Sequence, residues 1–304
     1  MTDPVTRAVR QQEMASAGEL ASVGSPIRLG AQTFIKNRAA LAGLIIIVLM
    51  LGFSFLGPLF YHTNQVNTDL PAEFLPPGAG HPLGTDENGY DELGRLMLGG
   101  QSALEVGLAA ALVATVVGIV YGAVSGFVGG IVDGFMMRIV DALLAIPTLF
   151  LTIYLFTVYT PSLAMMIVVI GVLGWLVTAR LVRAETLSLR TREFVQAVRS
   201  AGGTRRRMIV RHIIPNTAGT IMVNATFQVA DSILALASLS YLGLGIAPPA
   251  ANWGGMLSDG VQYTFAGRWW LYLPAGLCIL LTVMAFNAVG DGLRDAFDVR
   301  LQRR

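Results

Sequence analysis

EFVQAVRSAGGTRRRMIVRHIIPN, residues 193–216, is a polar, arginine-rich island in a chain that is otherwise mostly apolar. Phe194, Val195, Ala197, Val198 and Ala201 recur at helical spacing, with Glu193, Gln196, Arg199 and Ser200 beside them, which predicts a short amphipathic helix. Gly202 and Gly203 interrupt the pattern, as a turn between two helices would. Pro215 stands where the first turn of the next apolar helix should begin, a place where a missing N–H costs nothing. An exposed helix-turn-helix between two membrane spans is a handle for a soluble partner. The plainer alternative is a solvated basic loop whose Arg205, Arg206 and Arg207 serve only topology.

Composition decides the class. Of 304 residues, 54% are hydrophobic and 13% charged, with a mean hydropathy of +0.63; soluble domains carry about a quarter charged residues. The chain reads as all-α and polytopic, with six transmembrane helices. A tail of residues 1–38, with a short helix just before the membrane, leads into a first span at 39–60. That span is long enough for the roughly 30 Å hydrocarbon core and too long and too far from the N-terminus for a cleaved signal peptide. A loop at 61–102 follows. The core at 103–290 holds spans at about 103–127, 139–159, 163–180, 217–246 and 269–289, interrupted by the island loop 181–216 and a second polar loop at 247–268. A charged tail, 291–304, ends the chain.

With the N-terminus inside, 19 of the 21 Lys and Arg fall on inner segments, and only Arg95 and Arg268 lie outside. The positive-inside rule therefore puts both termini and the island in the cytoplasm and the 61–102 loop on the far side. No GxxxxGK[ST] phosphate loop is present, and the only lysine is Lys36. Neither a Ser/His/Asp set nor paired carboxylates in one span suggests an enzyme. The three histidines lie in different segments, without metal-ligand spacing, and the single Cys278 allows no disulfide within the chain. The many glycines within the spans point to close helix packing.

Charges inside a bilayer are costly and invite a functional reading. Asp231 lies near the middle of the fifth span, with Asn224 and Gln228 on a similar face. Two readings stand: an interhelical hydrogen bond, or the lining of a water-filled translocation path. Asp133, Arg138 and Asp141 recur at spacings of five and three near the inner interface, as a structural ion cluster or a gate, and Glu105 sits at the other interface.

The island carries a further pattern. Its run QAVRSAG, nine residues, HIIP resembles the "EAA" loop of binding-protein-dependent ABC importer permeases, EAA-x3-G-x9-I-x-LP, with Ala197, Gly202 and Pro215 at matching positions. Gln196, Val198, His212 and Ile214 depart from it. Residues 81–105, HPLGTDENGYDELGRLMLGGQSALE, are similar to the HxLGTDxxGRDxxSRxxxGxRxSL stretch of the "C"-type subunit of the dipeptide/oligopeptide/nickel permease family, with Tyr90, Gly94 and Gln101 in place of Arg, Ser and Arg. GGIVDGFMMRIVDALLAIP, LSYLGLGIAPP, NWGGMLSDG and FNAVGDGLRDAFD resemble further signatures, and Leu236 stands where that family usually has Glu.

The resemblance implies a type I ABC importer permease fold in a bacterial-type inner membrane. It implies a homologous permease as heterodimer partner, two ATPase subunits, an extracytoplasmic substrate-binding protein, and membrane lipid around the spans; no nucleic acid is involved. ATP and Mg would be held by the ATPase subunits, with no cofactor or metal in this chain. Glu193, Phe194, Gln196, Ala197, Val198, Gly202, Arg206 and Pro215 would form the ATPase-coupling segment, and Asn224, Gln228, Asp231 and Asp141 would line or gate the path. Di- and oligopeptides lead as substrates, with nickel or another small solute as alternative. Two rivals of other classes are an ion-coupled secondary transporter working through Asp231 and Glu105, and a scaffold or receptor that docks a partner without flux.

Overall fold

The structure, a computed structural model, describes residues 26–302 apart from 64, 66 and 248. Most of the expected N-terminal tail, residues 1–25, lies outside the described residues. Ten helices organise the rest: α1 Pro26–Lys36, α2 Arg38–Phe60, α3 Glu92–Val128, α4 Gly130–Leu144, α5 Thr148–Val158, α6 Leu163–Leu189, α7 Glu193–Ser200, α8 Arg205–Tyr241, α9 Trp253–Val261 and α10 Leu273–Gln302. Among the described residues there is no strand, only two isolated bridges in the 61–91 loop. Helices dominate because an apolar bilayer leaves the backbone no partner but itself.

Five of these helices (α2, α3, α6, α8 and the stretch Trp269–Phe297) are long and apolar enough to cross a membrane. The sixth expected span, at 139–159, is not one helix. It is the pair α4 and α5, bent by 76° at Ala145–Pro147. Pro147 supplies the reason: it has no N–H to continue the ladder, and it disfavours helical geometry at Ile146. Asp133 lies in the first turn of α4, which starts at once after Gly129 (φ +71°) ends α3. Helix α3 begins at Glu92, so the end of the expected 61–102 loop is helical. Helix α8 already begins at Arg205.

Helices α3 and α6 form the central pair. Their axes come close because α3 presents glycines at four-residue spacing: a Cβ on Gly118 would stand 2.5 Å from the Thr178 Cβ, and one on Gly126 would stand 2.8 Å from the Arg183 carbonyl. Small residues that admit a neighbouring backbone are the usual device for holding membrane helices together. Helix α8 packs on α3, α6 and α10, while α10 carries α2 and α1 on its other side. Asn37 caps α2 by accepting from the Ala40 amide at 3.1 Å, and its Nδ2 donates to Asp295 at 3.1 Å. At the opposite end the buried Trp253 donates Nε1 to the Leu96 carbonyl at 2.9 Å, pinning α9 onto α3. The start of α2, the end of α10 and the 181–216 segment therefore gather at one end of the bundle, and the loops 61–91 and 247–268 at the other.

Candidate functional site

Helix α6 ends at Arg190, whose Nη1 donates to the Gly126 carbonyl at 2.9 Å and ties that end to α3. Helix α7 then begins after Arg192, with Glu193 in its first turn, where negative charge suits the helix dipole. Gln196 Nε2 donates to the Arg190 carbonyl at 3.1 Å and holds α7 against the end of α6. Of the apolar stripe, only Val195 is buried and Val198 half-buried; Phe194, Ala197 and Ala201 are exposed, Phe194 by 41%. The chain leaves most of that face uncovered.

The turn after α7 is the one the glycines predict. Gly203 donates its amide to the Val198 carbonyl at 2.9 Å and Gly202 to Arg199 at 3.0 Å, the paired bonds of a Schellman end, with Gly202 at φ +76°. Thr204 then caps α8 by accepting from the Arg207 amide at 3.3 Å. Arg206 is exposed beside it. Pro215 stands in the first turn of the α-helical stretch Ile214–Tyr241, as expected, but that stretch does not start afresh there: a π turn at Ile209–Ile213 joins it to Arg205–Met208 as one helix, α8. A proline in a continuous helix lacks one ladder donor, and the wider turn absorbs that loss.

The expected path residues separate. Asn224 Nδ2 donates to the Thr178 hydroxyl at 2.8 Å, an interhelical bond to α6, and a Cβ on Gly174 would stand 2.5 Å from Gln228 Nε2. Asp231, two turns beyond Asn224, is exposed on the bundle's outside. Leu236 is buried in the apolar core, on another side of α8, so Asp231 does not occupy its place. Asp141 belongs to a different contact, an ion pair with Arg180 at 2.5 Å, and both side chains are about half exposed. The expected cluster of Asp133, Arg138 and Asp141 is not formed. Asp133 instead takes a two-pronged pair from Arg183 at 2.5 and 2.6 Å, plus the Ser125 hydroxyl at 2.5 Å. The arginines sit three apart on α6, a pairing that spacing within α4 could not reveal.

Sequence reasoning also missed a groove of about 670 Å3 between α6, α8 and α10, at the same end as the hairpin. Pro215, Asn224, Glu185, Thr220, Arg294 and Phe297 are among its walls, and the Thr220 hydroxyl donates to Glu185 at 3.2 Å. Its only sequence signal is Glu185, one of two acids among the arginines from Arg180 to Arg211.

The 81–105 stretch folds the opposite end. Asp91 caps α3 by accepting from the Gly94 amide at 2.8 Å, and its other oxygen meets the Tyr61 hydroxyl and His81 Nδ1, each at 2.9 Å. Burial, then the bond to Asp91, push the Tyr61 hydroxyl up to about 12, so it stays a donor. Thr85 accepts from the Leu75 amide at 2.8 Å and donates to the Ala72 carbonyl. The departures from the resembled motif have partners too: Gln101 donates to the Ser54 carbonyl at 2.8 Å, and the Tyr90 ring lies 5.0 Å from the Arg95 guanidinium.

Comparison with known proteins agrees with this arrangement. Residues 93–303 match the model of the binding-protein-dependent transport system inner membrane component, and residues 25–77 match the N-terminal TM domain of oligopeptide transport permease C. The chain is 43% identical to the oligopeptide transport system permease protein OppC of Escherichia coli (strain K12), over 87% of this chain and 88% of that protein. It is 41% identical to the dipeptide transport system permease protein DppC of Bacillus subtilis (strain 168), over 88% and 84%. It is 40% identical to OppC of Bacillus subtilis (strain 168), over 89% and 88%. The chain thus belongs to the binding-protein-dependent transport system inner membrane components, the non-enzymatic permease subunits of ABC importers.

Proposed function

We propose that this chain is one of two permease subunits of an importer for di- and oligopeptides, and that the α7 hairpin is the part its ATPase grips. The observation that carries the second half is the exposed apolar face of Phe194, Ala197 and Ala201, held rigidly by the Gln196 bond and the Gly202 turn. A solvated basic loop kept only for topology needs no such face. The substrate class rests on the relatives, whose names speak of oligopeptide and dipeptide transport.

The hairpin end is cytoplasmic, as the segregation of arginine requires, and both termini lie with it. Two ATPase subunits bind ATP and Mg beneath the membrane, one under each permease, and a binding protein delivers peptide to the far side. Closure of the ATPases pushes residues 193–216, and α8 carries the push into the bundle. Rigid-body rocking of this kind opens a path to each side in turn. The path runs past Asp231 on α8, and the 670 Å3 groove, which Asn224 lines, is its inner mouth. Asp231, exposed in an apolar span, supports a partner at that face, since a carboxylate turned to lipid is costly.

Phe194→Asp tests the grip. The variant is expected to insert and to pair with the second permease, yet to lose its ATPase subunits during purification. Full retention of the ATPases and full uptake would refute the assignment.

A further inference from the structure

At the end opposite the hairpin, residues 86–95 and α9 close around a pocket of about 230 Å3. Its walls carry four carboxylates, from Asp86, Glu87, Glu92 and Asp259, and one cation, Arg95. Two of the acids are engaged. Asp86 accepts from the Asn88 and Tyr90 amides at 2.8 and 2.9 Å and faces Arg95 at 3.4 Å; Glu87 accepts from the Tyr263 hydroxyl at 2.7 Å. Glu92 is not. It is 3% exposed, and its Oε2 is buried without a hydrogen-bond partner. A buried carboxylate oxygen is expensive unless a donor reaches it, and nothing among the described residues does. Burial and then the Glu87 charge push the Asp259 carboxyl up, and burial raises that of Asp86. The pocket sets four carboxyl groups against one guanidinium, and a cation held among them would favour their ionised forms.

The missing partner is therefore a cation with hydrogen-bond donors. No group of three or more His, Cys, Asp or Glu among the described residues is arranged for a metal ion. A primary ammonium offers three donors from one point charge. The volume is below the about 300–1,000 Å3 that takes a whole ligand, and suits a single residue. Arg95, Met256 and Asp259 also line an adjoining cavity of about 460 Å3, which reaches Ser240 and Gly243 at the end of α8 and leaves room for the rest of a chain.

We propose that this pocket is a subsite for the amino-terminal ammonium of the peptide entering the permease, with Glu92 as first acceptor and Asp259 as second. The inference rests on the peptide-import reading. Its test uses the whole complex in proteoliposomes, with the binding protein outside and ATP inside. Uptake of trialanine is compared with uptake of N-acetyl-trialanine, each at saturating loading of the binding protein. The unaltered complex is expected to favour the free amine, and Glu92→Gln or Asp259→Asn to lower that preference about tenfold, the scale of one hydrogen bond to a charged group. Glu92→Asp, which keeps the charge, should retain part of it. Assembly of each complex is checked by size exclusion, and Asp259→Asn carries the test if Glu92→Gln does not assemble. An unchanged preference in the variants overturns the proposal, as does an equal fall for both peptides. So does a fall confined to ATP hydrolysis stimulated by peptide-free binding protein, which would make the pocket a dock for a basic side chain of that protein. If the unaltered complex imports neither peptide, the peptide-import reading itself fails, and the subsite with it.

Discussion

Gly202 is the residue on which the hairpin turns. A Cβ there would meet nothing within 4 Å, so any penalty for replacing it is backbone strain alone, at φ +76°. Gly202→Val should cost about 1–2 kcal/mol locally and lower both uptake and substrate-stimulated ATP hydrolysis, while Gly202→Asn, which tolerates that region, should keep most of both. Equal activity of the valine and asparagine variants in the reconstituted complex would sink this assignment of the turn. Asp133 makes the second case. Removing one side of its two-pronged pair with Arg183 strands a guanidinium, at a cost of about 3 kcal/mol, so Asp133→Ala should lower the melting point of the detergent-extracted chain, and Asp133→Ala with Arg183→Leu should recover part of it. Gly202 was legible in the sequence because a glycine pair after an amphipathic run has few other uses. The Asp133 partner was not, because it lies on another helix, 50 residues away.

Among the elements, the clearest lesson is where apolar length misleads. Residues 139–159 are apolar enough to span, yet Pro147 bends them by 76°, and hydropathy averages over a single residue that the backbone does not ignore. Pro215 marked the first turn of the α-helical stretch Ile214–Tyr241 rightly; what it could not show is that the π turn at Ile209–Ile213 joins that stretch to Arg205–Met208. Helix α8 runs without a break from Arg205 into the bundle, and in the proposed mechanism this continuity carries the hairpin's movement to the spans. The α3–α6 pair is the most closely packed in the bundle, and its glycines were read as packing, which their contacts bear out. Gly122→Leu should force the two helices apart, since a side chain there runs into the Ala179 carbonyl. Overpacking of that kind costs about 3 kcal/mol, and the expected outcome is aggregation on extraction, read by size exclusion. A monodisperse, thermally unchanged variant would mean that the pair is less tight than the structure has it.

For the whole molecule, the charge segregation and the lack of a phosphate loop were legible in the sequence and left an ATPase partner and an ion gradient as rival energy sources, while the outward-facing Asp231 was beyond what spacing could tell. Its exposure is what supports the proposed partner at that face. Asp231→Leu should leave the chain stable in detergent and weaken both its pairing with the second permease and peptide flux; undiminished flux would move the path elsewhere. The rival in which Asp231 and Glu105 harness an ion gradient differs in its energy source, and that difference can be measured directly. Labelled trialanine uptake into proteoliposomes holding the full complex, with binding protein outside, should require ATP inside and persist when ionophores collapse the proton and sodium gradients. Uptake that follows the gradients and ignores ATP would contradict the importer mechanism at its root.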